Sequence, residues 1–78
     1  MNNTQKAVQR AVDLLGSQSA LAKAVGKSQP AIYKWTHGKA LPTWQSAIAI
    51  ERATAGRVTR HEIRPDVEAL PIPTEHVA

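Results

Sequence analysis

Residues 17–38 read SQSALAKAVGKSQPAIYKWTHG, and this stretch decides the fold. It divides at Gly26 into two amphipathic runs, each too short to be a stable helix alone. In the first run Leu21, Ala22 and Val25 fall at helical spacing and form one apolar face. Ser17 and Ser19 precede that face, and either can cap a helix by accepting a bond from an amide of its first turn. The second run opens at Ser28, also a good cap, and Pro30 then falls in its first turn. There the missing N–H forfeits no intrahelical bond and the fixed φ suits a helix start. The proline therefore marks a beginning and not a break. Ala31, Ile32 and Trp35 supply the inner face, and Gly38 ends the run.

Between the two runs, Gly26 can turn left-handed at little steric cost. Ala22 is small enough to let the helices approach closely, and Val25 and Ile32 can meet beneath the turn. Two short helices joined by a tight turn containing glycine make a helix-turn-helix.

The same reading extends outward. Thr4–Leu15 carries Val8, Ala11, Val12 and Leu15 on one stripe, with Lys6, Gln9, Arg10 and Asp13 opposite, and Gly16 is its stop. After the linker HGKALP, Thr43 can cap a helix over about residues 44–54 that buries Ala47, Ile48 and Ile50 and stops at Gly56. Thr59 and Glu62 have capping-box spacing, which predicts a short helix over about residues 60–64, ended by Pro65. No stretch alternates as a strand would. The expected fold is an all-α, compact bundle of about five short helices. It occupies residues 1–66, with an extended or mobile tail over 67–78.

The chain has 78 residues, enough for one small domain. Residues 1–65 hold all ten Lys and Arg against Asp13, Glu51 and Glu62, a net charge of +7. Asp66, Glu68 and Glu75 make the remainder acidic, a net −3. A basic body suits a polyanion such as nucleic acid. There is no cysteine. No apolar run approaches a membrane span and the N-terminus lacks a signal-peptide core, so a cytoplasmic protein is expected. His37, His61 and His76 have no second ligand at metal spacing, so neither metal nor cofactor is predicted. No nucleophile–base pair or phosphate-cradling loop points to an enzyme.

The pattern LAKAVGKSQPAIYKWTHG resembles the helix-turn-helix of the Cro and repressor proteins of bacteriophages. The following IAIERATAGRVTRHEIRPDV resembles the shorter Cro-like, YdaS-type group. The resemblance spans roughly residues 5–67. It implies a lambda-repressor-like domain whose second motif helix lies in the major groove of double-stranded DNA, and proteins that bind operators as homodimers. It also implies that Ser17 and Gln18 begin the first motif helix, where backbone N–H groups face the sugar-phosphate chain. Pro30 and Tyr33 depart from the family pattern: one removes a donor, and the other is bulky where smaller polar groups are common.

The helix faces say which residues would read the bases. With Ile32 and Trp35 inward, Gln29, Pro30, Tyr33 and Lys34 face outward beside Ser28. A recognition helix presents its N-terminal residues to base edges. Gln29 can pair with adenine N6 and N7, and Lys34 with guanine O6 and N7. Pro30 can meet a thymine methyl, and Tyr33 can offer its hydroxyl to a base or phosphate. Lys27, Thr36, His37 and Lys39 flank this face and are expected on phosphates, which fix register more than sequence. Trp44 stands open between partial burial and a phosphate contact through its indole N–H. Arg57, Arg60 and Arg64 stand open between a second basic patch and ordinary ion pairs, such as Arg64 with Asp66 or Glu68.

Two functions fit. One is a Cro-like repressor, dimeric on a pseudo-palindromic operator, with Val58, Ile63, Val67 or Leu70 as candidates for the dimer face. The other is an antitoxin-like protein that holds a partner protein through the tail residues Val67, Leu70, Ile72 and Val77.

Overall fold

The computed structural model describes residues 2–67. The expected tail beyond Val67 lies outside the described residues. The elements run α1 Asn3–Leu15, α2 Gln18–Val25, α3 Gln29–Thr36, α4 Trp44–Ala53 and α5 Arg60–Ile63, then a 3-10 turn over Pro65–Val67. No strand occurs among the described residues.

Each start has a local cause. Ser17, Ser28 and Thr43 accept bonds from Ala20, Ala31 and Ser46 amides and cap α2, α3 and α4. Thr59 and Glu62 close a reciprocal capping box on α5. α1 begins one residue earlier than its sequence pattern suggests, because Asn2 and Gln5 form a second capping box. Thr4 is thereby drawn inside the first turn, and its hydroxyl donates to the Ile63 carbonyl at 2.7 Å.

The ends follow the same logic. After α2 the Lys27 amide reaches back to the Ala22 carbonyl at 2.9 Å, and Gly26 sits left-handed at φ 72°. This Schellman closure is the turn of the motif. After α4 the left-handed residue is Ala55, at φ 57°, one residue before the Gly56 that the sequence suggested as the stop. α5 ends at Ile63, one residue short of the expected range, and Pro65 opens the 3-10 turn.

The core gathers Val8, Leu21, Ile32, Ile50, Val58 and Ile63, all fully buried, with Trp35 and Trp44 at its edge. Burying each such aliphatic side chain is worth about 1.5–3 kcal/mol. Val25 and Leu15 are only partly buried against this cluster. Val58 and Ile63 have no exposed surface, which removes them from any dimer face. α1 packs against α3 on one side and α5 on the other, and α2 bridges α3 and α4. Arg10 fixes the α1–α5 side by donating to the Arg57 carbonyl at 2.6 Å and pairing with Glu62 at 3.2 Å. Arg60 pairs with Glu51, and Arg64 binds Asp66 and the Pro42 carbonyl. Arg60 and Arg64 are thus engaged in ion pairs of the scaffold.

Candidate nucleic-acid interface

The helix-turn-helix forms from the residues expected. Ile32 and Trp35 hold α3 against α1 and α2, which turns Gln29, Pro30, Tyr33 and Lys34 to solvent. Ser28 is exposed beside them, and its hydroxyl oxygen accepts from the Ala31 amide at 3.3 Å. The hydroxyl proton remains able to donate outward.

The first turns of α2 and α3 meet at the surface. The Gln29 amide nitrogen donates to Gln18 Oε1 at 3.4 Å. This bond uses one of the two Gln29 N–H groups. The other N–H and Oε1 remain, which is the donor–acceptor pair that adenine presents a match for in the major groove. Sequence spacing did not reveal this bridge, because residues eleven apart in different helices have no fixed relation until the turn is built. Ser17 Oγ is occupied by the Ala20 amide at 3.0 Å. Capping still leaves the first α2 amides, Gln18 and Ser19, without intrahelical acceptors.

At the other end of α3, the His37 ring stacks on Tyr33, with centroids 3.9 Å apart and planes 22° from parallel. Their i,i+4 spacing on a helix brings the two rings within reach. Lys27 lies exposed in the turn, and Lys39 lies exposed after α3. The Lys39 amide closes the helix on the Lys34 carbonyl at 2.9 Å. A side chain at Gly38 would approach Gln5 of α1 to 3.1 Å, so this turn is held tightly against the bundle.

One expected contact, at Thr36, is corrected, and the reading left open at Trp44 is decided for burial. Thr36 is buried, and its hydroxyl donates to the Tyr33 carbonyl at 3.0 Å. Trp44 is buried at the start of α4, with its ring tilted against His61 at a centroid distance of 5.7 Å. Neither side chain is presented to an outside phosphate. Thr36 lies one helical turn after Ile32 in α3 and shares its inward face, whereas Trp44 follows the 37–43 link, across which helical phase is lost.

Among the described residues, no group of His, Asp or Glu could hold a metal ion, and no helix is long and apolar enough to cross a membrane. The exposed face of α3 and the turn before it carry Lys27, Gln29, Lys34 and, just beyond, Lys39, with no acidic residue between residues 14 and 50.

A family model described as bacterial toxin YdaS matches residues 8–72. The chain is a member of the YdaS family. It is similar, at 38% identity over 69 residues, to the Escherichia coli K12 protein named "Putative transcriptional regulator YdaS". That alignment covers 87% of this chain and 69% of the relative. No solved structure gives a significant match.

Proposed function

We propose that this YdaS-family chain is a sequence-specific DNA-binding regulator of transcription, a Cro-like repressor of phage or prophage origin working at the nucleoid of a bacterial cell. The observation that carries this reading is the outward face of α3, with Gln29 braced by Gln18 at the helix start. The family relative named as a transcriptional regulator supports it.

In this reading α3 enters the major groove by its N-terminal turn. Gln29 reads adenine, Lys34 reads guanine, and Pro30 and Tyr33 contact thymine methyl or neighbouring groups. Ser28 donates its hydroxyl proton to a base edge. Lys27, His37, Lys39 and the start of α2, where the Gln18 and Ser19 amides follow the Ser17 cap, hold the backbone. Repression follows from occupancy: a bound dimer with recognition helices about 34 Å apart covers one face of a promoter and excludes polymerase. With Val58 and Ile63 buried, the dimer contact falls on another surface.

The test is selection of duplexes from a random library by the purified protein at near-physiological salt. Enrichment of an inverted repeat supports the dimeric repressor. Enrichment of one half-site retains the regulator and removes the dimer. Absence of any preferred sequence overturns the reading.

The toxin in the family description favours a second reading, in which binding a partner protein is the main role. Overproduction separates the two. Growth arrest abolished by Gln29→Ala arises through DNA, whereas arrest that survives the substitution but disappears with residues 68–78 deleted arises through a partner of the tail.

A further inference from the structure

His37 follows the last residue of α3 and is locked there in one tautomer. Its Nδ1 lies 2.9 Å from the Tyr33 carbonyl oxygen. A carbonyl has no proton to give, and two lone pairs at that distance would repel, so Nδ1 carries the hydrogen. Thr36 Oγ1, 3.1 Å from the same nitrogen, directs its own proton to the Tyr33 carbonyl. In the neutral ring, Nε2 is therefore a bare acceptor. The stack on Tyr33 fixes the ring plane on the exposed side of the helix end.

This has a consequence for a polyanionic ligand. A neutral His37 in this tautomer offers a phosphate a lone pair, which repels it. The protonated ring offers a charged N–H donor at the same atom, and charge-assisted bonds to phosphate are strong. Imidazolium also stacks favourably on a tyrosine face. We propose that His37 is a proton-linked phosphate ligand: the imidazole takes up a proton as DNA binds, and Nε2–H donates to the backbone. The inference rests on the DNA-binding reading above and adds its dependence on pH.

The charged groups around this ring leave that role to His37. On and just beyond its own helix stand Tyr33, Lys34 and Lys39. On α1, Lys6 and Arg10 line the groove toward α5 with His61 and Glu62, and Asp13 accepts from Gln9. On α2 the titratable group is Lys23, in the last turn. Among the described residues no acidic side chain pairs with His37, so a phosphate is the anion that would meet the cation.

The sign follows from linkage. A group that is protonated more readily in the complex strengthens binding as pH falls, and the gain is lost as pH rises past its value in the complex.

The experiment measures affinity for the selected duplex from pH 8 to pH 6 at fixed salt. The wild-type chain is compared with His37→Gln, His37→Lys and His61→Gln. Wild-type affinity is expected to rise roughly five- to tenfold as pH falls. His37→Gln should hold the weak level at all pH, His37→Lys the tight level at all pH, and His61→Gln should keep the wild-type rise. Calorimetry in two buffers of different ionisation enthalpy should find proton uptake near pH 7 in the wild type and none in His37→Gln. A wild-type rise that persists in His37→Gln overturns the proposal and leaves DNA binding standing. Absence of duplex binding at any pH overturns the DNA-binding reading itself.

Discussion

At the residue scale, Gln29 and Ala55 show how much one position can carry. Gln29 is anchored through one N–H and free through its other N–H and its oxygen, so its truncation removes a shaped contact and not a diffuse one. Gln29→Ala is expected to cost about 1–3 kcal/mol on the preferred duplex and relax one base position, read by competition among single-base variants of the site. Unchanged preference at every position would mean that α3 does not present this turn to the bases. Ala55 carries a different load. It closes α4 at φ 57°, where a Cβ costs roughly 1–2 kcal/mol, and glycine returns part of that gain as unfolded-state entropy. Ala55→Gly should therefore stabilise the domain by about 0.5–1 kcal/mol in chemical denaturation, with DNA affinity unchanged. The sequence hid this strain because Gly56, the next residue, also has positive φ and looked like the natural stop.

At the scale of elements, what was legible had local causes. Ser17, Ser28, Thr43 and Thr59 each precede an amphipathic run, and each caps a helix through a bond spanning three residues. Gly26 marked the turn for the same reason, since its requirement for positive φ is local. What was not legible depends on chain closure. The burial of Trp44 depends on how the 37–43 link returns the chain to the bundle. The pairing of Arg10 with Glu62 joins residues 52 apart. That pairing makes α5 sensitive to acid. The Thr59 amide donates to the Glu62 carboxylate at 2.9 Å, and Arg10 adds its charge, so the carboxyl is held below its ordinary value of 4.5. A carboxylate lowered on folding contributes stability above its unfolded value and loses it as pH falls through the folded one. Glu62→Gln keeps an oxygen for the Thr59 amide but cannot titrate. It should cost only a few tenths of a kcal/mol at pH 7, because the pair is largely exposed, and should lose less stability than the wild type between pH 6 and pH 3. Parallel acid dependence in the two proteins would assign the loss elsewhere, with Asp66, held low by Arg64, the next group to test.

At the scale of the whole molecule, charge is distributed so that the scaffold and the exposed face use it differently. Arg10, Arg60 and Arg64 are bound to Glu62, Glu51 and Asp66 and hold α1, α4, α5 and the 3-10 turn in register. The lysines at positions 27, 34 and 39 stand exposed on or beside α3, in a stretch without acidic residues. Internal pairing thus neutralises these three arginines, while the three lysines add positive charge on the α3 side, where it can attract a polyanion before any base is read. Lysines at bases and lysines at phosphates then separate by their salt response. Each phosphate neutralised releases condensed counterions and adds about 0.9 to the slope of log affinity against log salt. Lys39→Ala is expected to weaken preferred and random duplexes by the same factor and to flatten that slope by about 0.9, with the order of sequence preference intact. Lys34→Ala, which in the proposed reading removes a base contact, should change the order as well. The check is a salt titration on both duplexes for both variants. A Lys39→Ala protein that keeps the wild-type slope would place Lys39 outside the contacted backbone, and the positive face would then end with α3.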